Sequence, residues 1–238
     1  VWLVRSRSDG ALSAVKRSLA AFTGRADRQR YLREVQAAAA LPEHPHVVRY
    51  YRGWQQERHF YQQMELCEGG SLAGVLRALP PGVHLPERDV WRLAKECADG
   101  LAHCHTHGVL HLDVKPANVF LDALACAKLG DFGNAVLAGR GWASEEGDGA
   151  YVAPELLRSD GGNASPAADV FSFGATLFET AAGAPLPRGC DIVPALPGRS
   201  KQLQALLEAM LQPVPEYRPS AFDVLMEACR VLGVPLDI

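Results

Sequence analysis

Apolar positions fall into two regimes along the chain. In the first quarter they come in short runs with polar residues between them. Strands are predicted around Val1–Arg7, Leu12–Ser18, Val47–Trp54 and Phe60–Met64. The turn Arg7-Ser8-Asp9-Gly10 joins the first two as a hairpin. Between the pairs, Tyr31-Leu32-Arg33-Glu34-Val35 begins a helical pattern, with Leu32, Val35 and Ala39 on its apolar side. Further on the spacing is helical. Val90–His107 places Leu93, Cys97 and Leu101 on one stripe, and Ala167–Gly183 is a strongly apolar helix. Ser200–Leu211 and Ser220–Leu232 predict two more helices, and the Pro/Gly-rich stretch Gly183–Gly198 a long loop. The reading is α+β, with a small β-rich lobe over 1–64, a connecting segment over 65–70 and a larger, mainly helical lobe over 71–238.

Composition adds bounds. An apolar content of 48% in 238 residues is ample for a core. The net charge of −3, with no basic stripe, gives no support to nucleic-acid binding. No apolar run approaches the ~20 residues of a membrane span. The six cysteines show no Cys-x-x-Cys spacing, so they read as small buried hydrophobes rather than zinc ligands or disulfides. His103, His105 and His107 read as surface or loop residues, not metal ligands.

Three ordered blocks carry the chemistry: His111-Leu112-Asp113-Val114-Lys115-Pro116-Ala117-Asn118, Asp131-Phe132-Gly133, and Ala153-Pro154-Glu155. One alone would be weak, since Asp-Phe-Gly is a common turn tripeptide. Together they are the protein-kinase signature set and imply the bilobal protein-kinase fold. Phosphoryl transfer from ATP needs positioning and charge neutralisation more than covalent chemistry. Asp113 suits the acceptor of a substrate hydroxyl proton, and Lys115 a cation reaching the γ-phosphate. Asn118 and Asp131 offer the hard oxygens that Mg²⁺ prefers. Each Asp could instead be a helix cap or turn residue.

Upstream, Ala14-Val15-Lys16 fits the strand carrying the ATP lysine, with Glu34 as its partner; a surface helix charge is the alternative for Glu34. Met64-Glu65-Leu66-Cys67-Glu68-Gly69-Gly70 is the expected hinge, its backbone bonded to adenine, with Gly69 and Gly70 permitting the turn. Met64 belongs at the back of the nucleotide pocket or simply in the core. Spacing back from Lys16 aligns Val1 with the last residue of a Gly-x-Gly-x-x-Gly-x-Val loop. The glycines are expected upstream of Val1, and without them ATP binding is expected to be poor.

The chain resembles the Wee/Myt family of protein kinases across essentially its whole length. The resemblance rests on the His111–Asn118 block, on Lys128-Leu129-Gly130-Asp131-Phe132-Gly133, and above all on Glu145-Glu146-Gly147-Asp148 before Tyr151. His44-Pro45-His46-Val47-Val48-Arg49-Tyr50 and Ala182-Gly183-Ala184-Pro185-Leu186-Pro187 are similar to the Wee branch. Met64-Glu65-Leu66-Cys67 and Leu196-Pro197-Gly198-Arg199-Ser200 are similar to its plant and green-algal members. The resemblance implies tyrosine-kinase activity toward a cyclin-dependent kinase–cyclin complex, delayed mitosis and nuclear residence, with the cytoplasm as a second setting; a monomer is expected. It carries over Asp113 as base, Lys16 as ATP lysine, and Asn118 and Asp131 as metal ligands. Lys115, of the serine/threonine type, would by itself have suggested serine/threonine specificity. A serine/threonine kinase of another branch, or a pseudokinase that binds partners without catalysis, are the alternatives.

Three expectations concern architecture. Glu155 should pair with Arg218, and Asp169 should accept hydrogen bonds from the backbone around Asp113. Leu112 stands where many kinases carry an Arg that pairs with an activation-loop phosphate. A leucine cannot make that pair, so activity without such phosphorylation is expected, with Glu145, Glu146 and Asp148 holding the segment or simply facing water.

Overall fold

The computed structural model describes residues 1–22, 24–138, 149–157, 164–187 and 193–236, and for 25–30 and 33 the backbone alone. Glu145, Glu146, Gly147 and Asp148, Cys190, and the 188–192 part of the predicted loop therefore lie outside the described residues.

Strands β1 (Trp2–Arg5), β2 (Leu12–Arg17), β3 (Tyr50–Gln56) and β4 (His59–Met64) form one antiparallel sheet in the order β1-β2-β4-β3. The β1–β2 hairpin turns at Gly10, and Ala14 lies opposite Met64 across the β2–β4 ladder. β3 starts later than its sequence pattern suggests. Val47 makes only an isolated bridge to Leu129, and Val48 donates its N–H to the Leu129 carbonyl. Helix α1 (Arg25–Ala39) crosses between β2 and β3.

The expected apolar side of α1 is corrected. Leu32 is 46% exposed and Ala39 is exposed, whereas Glu34 and Ala37 are buried. Burying a carboxylate in place of a leucine costs free energy unless it is paired, and Glu34 faces Lys16. The apolar period therefore misplaced the inward stripe by two positions.

The remainder is mainly helical. After β5 (Gly70–Ser71) come α2 (Leu72–Ala78), α3 (Glu87–Thr106) and α4 (Pro166–Ala182), then α5 (Lys201–Met210) and α6 (Ala221–Leu232). Short strands β6 (Val109–Leu110), β7 (Val119–Leu121), β8 (Ala127–Leu129) and β9 (Val136–Leu137) lie between α3 and α4. The predicted stripe Leu93, Cys97 and Leu101 is buried, and it joins Phe173 and Leu177 of α4 and Val224 and Ala228 of α6 in one core. Ser220 and Asp223 form a capping box at the start of α6, satisfying N–H groups its first turn leaves free. Ser200 caps α5 by one bond alone, its hydroxyl accepting from the Leu203 N–H at 3.2 Å. No helix among the described residues is long and apolar enough to cross a membrane.

Cys97, Cys104 and Cys229 are buried as expected, but Cys67 and Cys126 are only half-buried. Cys67 precedes β5 and Cys126 lies in the β7–β8 turn, at the margins of the small sheet that β5, β7 and β8 form.

Candidate functional site

A cleft of about 360 Å³ opens between the four-stranded sheet and the helical part, within the usual range for small-molecule sites. Its lining includes Val1, Ala14, Lys16, Glu34, Met64, Glu65, Cys67 and Asp131, so every residue expected at a nucleotide meets there. The lining is mostly apolar, with Val1 and Ala14 from the sheet and Ala117 and Phe120 from beyond α3. Leu66 and Cys67 belong to the segment linking the two parts. The turn that follows depends on glycine. A Cβ on Gly69 would meet Leu121 Cβ at 2.8 Å, and Gly70 sits at φ +71°. Glu65 is anchored by Lys128 at 2.9 Å and by the Arg49 N–H at 3.1 Å. The Cys67 thiol is pushed up to about 11 by burial and by Glu65, so it stays protonated at neutral pH.

Lys16 reaches inward from β2. Its Nζ lies 2.6 Å from Asp131 Oδ1 and 3.5 Å from Glu34 Oε1. The sequence reading paired Lys16 with Glu34 alone; Asp131, 115 positions away, is the nearer partner. Burial alone would lower the pKa of the Lys16 ammonium, but the two carboxylates outweigh it and hold the pKa above its ordinary value. Burial likewise pushes the Asp131 carboxyl up, and Lys16 overcomes this to hold it below the usual carboxylate range. Asp131 has left-handed backbone (φ +59°), which turns the chain so that Phe132 can bury beneath α1 with Ala37 and Val47.

Asp113 stands on the loop after β6. Asn118 Nδ2 donates to its carbonyl and to its Oδ2, each at 2.8 Å, while Lys115 Nζ lies 3.0 Å from its Oδ1. Both carboxylate oxygens are thus fixed from one side. Gly130 N–H donates to the Asn118 carbonyl at 3.0 Å, which holds the Asp131 turn beside this loop.

Two histidines that the sequence reading gave no role tie the site together. His111 is fully buried, its Nδ1 accepting from the Asp113 N–H at 3.3 Å and its Nε2 facing the Gly130 carbonyl at 3.1 Å. A backbone N–H can only donate and a carbonyl only accept, so the ring proton sits on Nε2. The His111 ring also packs at a tilt of 45° against Phe132, with centroids 4.8 Å apart. His105, expected at the surface, is instead half-buried, with Nε2 2.8 Å from Asp169 Oδ2. The fully buried Asp169 also accepts from the His111 and Leu112 N–H groups at 2.9 and 2.7 Å. This matches the expectation for Asp169, and it explains how Leu112 is held at φ +57°, a conformation costly for a bulky residue. The Leu112 side chain packs with Leu110, Ala153, Leu156 and Ala168. Glu155 and Arg218 form the expected bidentate pair at 2.7 and 2.8 Å.

Among the described residues no cluster of three or more His, Cys, Asp or Glu side chains could hold a metal. The oxygens at hand for Mg²⁺ are the Asp131 carboxylate and Asn118 Oδ1, left open because its Nδ2 points at Asp113. Two hard oxygens suit an ion that keeps several waters and takes its other ligands from phosphate.

The chain matches the family model described as "Protein kinase domain" over residues 1–228. A Wee1-like protein kinase of Arabidopsis thaliana is 37% identical over 235 residues, covering 94% of this chain and 46% of that protein. One from Oryza sativa subsp. japonica is likewise 37% identical over 94% of this chain and 43% of its own length. Wee1-like protein kinase 2 of Homo sapiens is 34% identical over 90% of this chain and 43% of its own. The chain thus spans less than half the length of these relatives.

Proposed function

Since the chain belongs to the protein kinase family, we propose that it is a Wee-type tyrosine kinase acting on a cyclin-dependent kinase–cyclin complex to delay mitosis. The observation that carries phosphoryl transfer is that Lys16 and Asp131 meet in the cleft, while Asp113, Lys115 and Asn118 form one bonded group held to the Asp131 turn by the Gly130 N–H on the Asn118 carbonyl. The substrate class rests on the similarity to Wee1-like kinases.

The residues divide the work. The 65–67 backbone and Ala14 would hold the adenine of ATP, and Lys16, which Glu34 and Asp131 keep charged, would hold its α- and β-phosphates. Mg²⁺, when bound by Asp131 and Asn118, neutralises charge on the phosphates. Asp113 takes the proton as the substrate oxygen bonds to the γ-phosphorus. The bond from that phosphorus to the β-phosphate oxygen breaks, and ADP leaves. Lys115 bridges Asp113 and the transferred group, and Asn118 stops the Asp113 carboxylate from rotating.

Lys115 favours a second reading, a serine/threonine kinase. Incubation of the kinase domain, with the expected glycine loop restored upstream of Val1, with Mg-ATP and a catalytically inactive cyclin-dependent kinase–cyclin complex, followed by phosphoamino-acid analysis, separates the two. Phosphotyrosine that disappears in Asp113→Asn is the expected result, with transfer reduced about 10²–10⁴-fold. Phosphoserine or phosphothreonine alone refutes the Wee reading, and no transfer to any substrate with ATP still bound favours a pseudokinase. The expected setting is the nucleus and the expected state a monomer.

A further inference from the structure

The sheet has two faces, and only one is used by the cleft. Ala14 and Lys16 of β2 and Gln62 of β4 line the cleft. Residues directly opposite across a ladder share a face, and so do residues two apart on one strand. The registers Trp2↔Val15, Arg17↔Tyr61, Trp54↔Tyr61 and Arg52↔Gln63 therefore put Trp2, Arg17, Tyr61, Trp54, Arg52 and Gln63 together on the outer face.

These side chains form two contacting groups, set side by side by the Arg17↔Tyr61 register. The Arg17 guanidinium lies over Trp2 at 5.3 Å, and Arg52 over Trp54 at 5.5 Å. Trp54 stacks on Tyr61 with centroids 5.3 Å apart and planes 8° from parallel. Trp2 is 48% exposed, and both arginines are exposed. No strand of the sheet contains an Asp or Glu; of the nearest in sequence, Glu57 and Asp9 lie in the turns at its tips, and Glu65, just after β4, is held by Lys128. Among the described residues neither arginine meets a carboxylate, and Arg52 spends only its Nε, on Gln63. The aromatic rings thus fix the guanidinium planes while leaving most of their donors open.

We propose that this outer face is a docking surface for an acidic peptide segment of a protein partner. Open, ring-supported guanidiniums match carboxylates through paired N–H donors. Trp, Tyr and Arg are also the residues that dominate protein interfaces. Aromatics with arginine could equally stack on a single-stranded nucleic acid. A nucleic acid needs a longer cationic track than two arginines, whereas a short acidic segment needs only a carboxylate at each. The occupant lies across the sheet from the cleft, so it does not compete with nucleotide.

Trp2 and Trp54 are two of the four tryptophans, so intrinsic fluorescence reports the site. The probe is a glutamate-rich dodecapeptide, titrated beside its glutamine counterpart and an oligothymidylate. Saturable quenching by the acidic peptide is expected, weakened by salt and unchanged by Mg-ATP. Arg17→Glu/Arg52→Glu should weaken binding at least about tenfold. Arg17→Lys/Arg52→Lys, which keeps the charge but loses the planar fork, should fall between. Melting temperatures of both variants confirm folding. Equal binding of the glutamine peptide, competition by Mg-ATP, unchanged affinity in the folded Glu variant, or tighter binding of the oligonucleotide would each overturn the proposal.

Discussion

Removing the Arg218 guanidinium should unfold the helical part more readily than any exposed charge change. Its side chain has 0% exposure and that of Glu155 11%, and the two share bonds of 2.7 and 2.8 Å. Arg218 also donates to the carbonyls of Gln212 at 2.7 Å, Ala167 at 2.9 Å and Pro213 at 3.2 Å, and lies 4.9 Å over the Phe171 ring. Arg218→Ala leaves a buried carboxylate without its counter-charge and these carbonyls without their donor. Breaking a buried pair in this way costs about 3–5 kcal/mol. At roughly 2–4 °C per kcal/mol for a chain of this size, the melting temperature should fall by about 6–20 °C. Glu155→Gln should cost less, since an amide keeps one acceptor. In Arg218→Met/Glu155→Leu both charges leave together, so the double change should cost clearly less than the sum of the Arg218→Ala and Glu155→Ala penalties. The assay is urea and thermal unfolding of all four variants. A loss under about 1 kcal/mol in Arg218→Ala, or strict additivity in the double change, would refute the reasoning.

Other consequences concern pH and the segment before Glu155. His103 stacks on His44 and packs at a tilt against His107, each with centroids 4.4 Å apart, and His46 lies 5.9 Å from His44. Burial, opposed by the Ala127 carbonyl and by Asp99 and Glu96, holds the His46 pKa below its ordinary value of 6.5; burial and His44 do the same for His103. The unfolded chain then binds protons first as pH falls, so stability present above about pH 6.5 is lost below it. Asp99, whose carboxyl burial raises but His44 holds low, stays ionised through that window. Melting at about pH 7.5 and about pH 5.5 should differ less in His103→Gln than in the parent; an equal difference refutes the assignment. Because Leu112 packs with Ala153 and Leu156 instead of pairing with a phosphate, phosphatase treatment should leave transfer activity intact. A severalfold loss would show that a phosphate holds the segment after all.

The order of the motifs was legible because each is local. Asp113, Lys115 and Asn118 lie within one loop, and their spacing alone places a carboxylate, a cation and an amide together. The helices of the second lobe were legible from their period, since the Leu93, Cys97 and Leu101 stripe faces a large apolar core that rewards it. Helix α1 was misread because its inward position is set by an ion pair across the cleft, and an apolar period does not register a buried Glu34.

What the sequence by itself determined is the fold class, the helices with a strong apolar stripe, and the identity of the groups available for phosphoryl transfer. The tertiary structure decided which groups meet. It chose Asp131 over Glu34 as the nearer partner of Lys16, put His105 on Asp169 and His111 between Asp113 and Gly130, and twisted Leu112 into left-handed backbone. It also gathered arginines and aromatics from four strands onto one face, though no strand alone suggests a surface. The physical reason is range. Period and turn chemistry act over a few residues, whereas ion pairs, buried hydrogen bonds and ring contacts join positions far apart in sequence, and only the closed fold sets their distances.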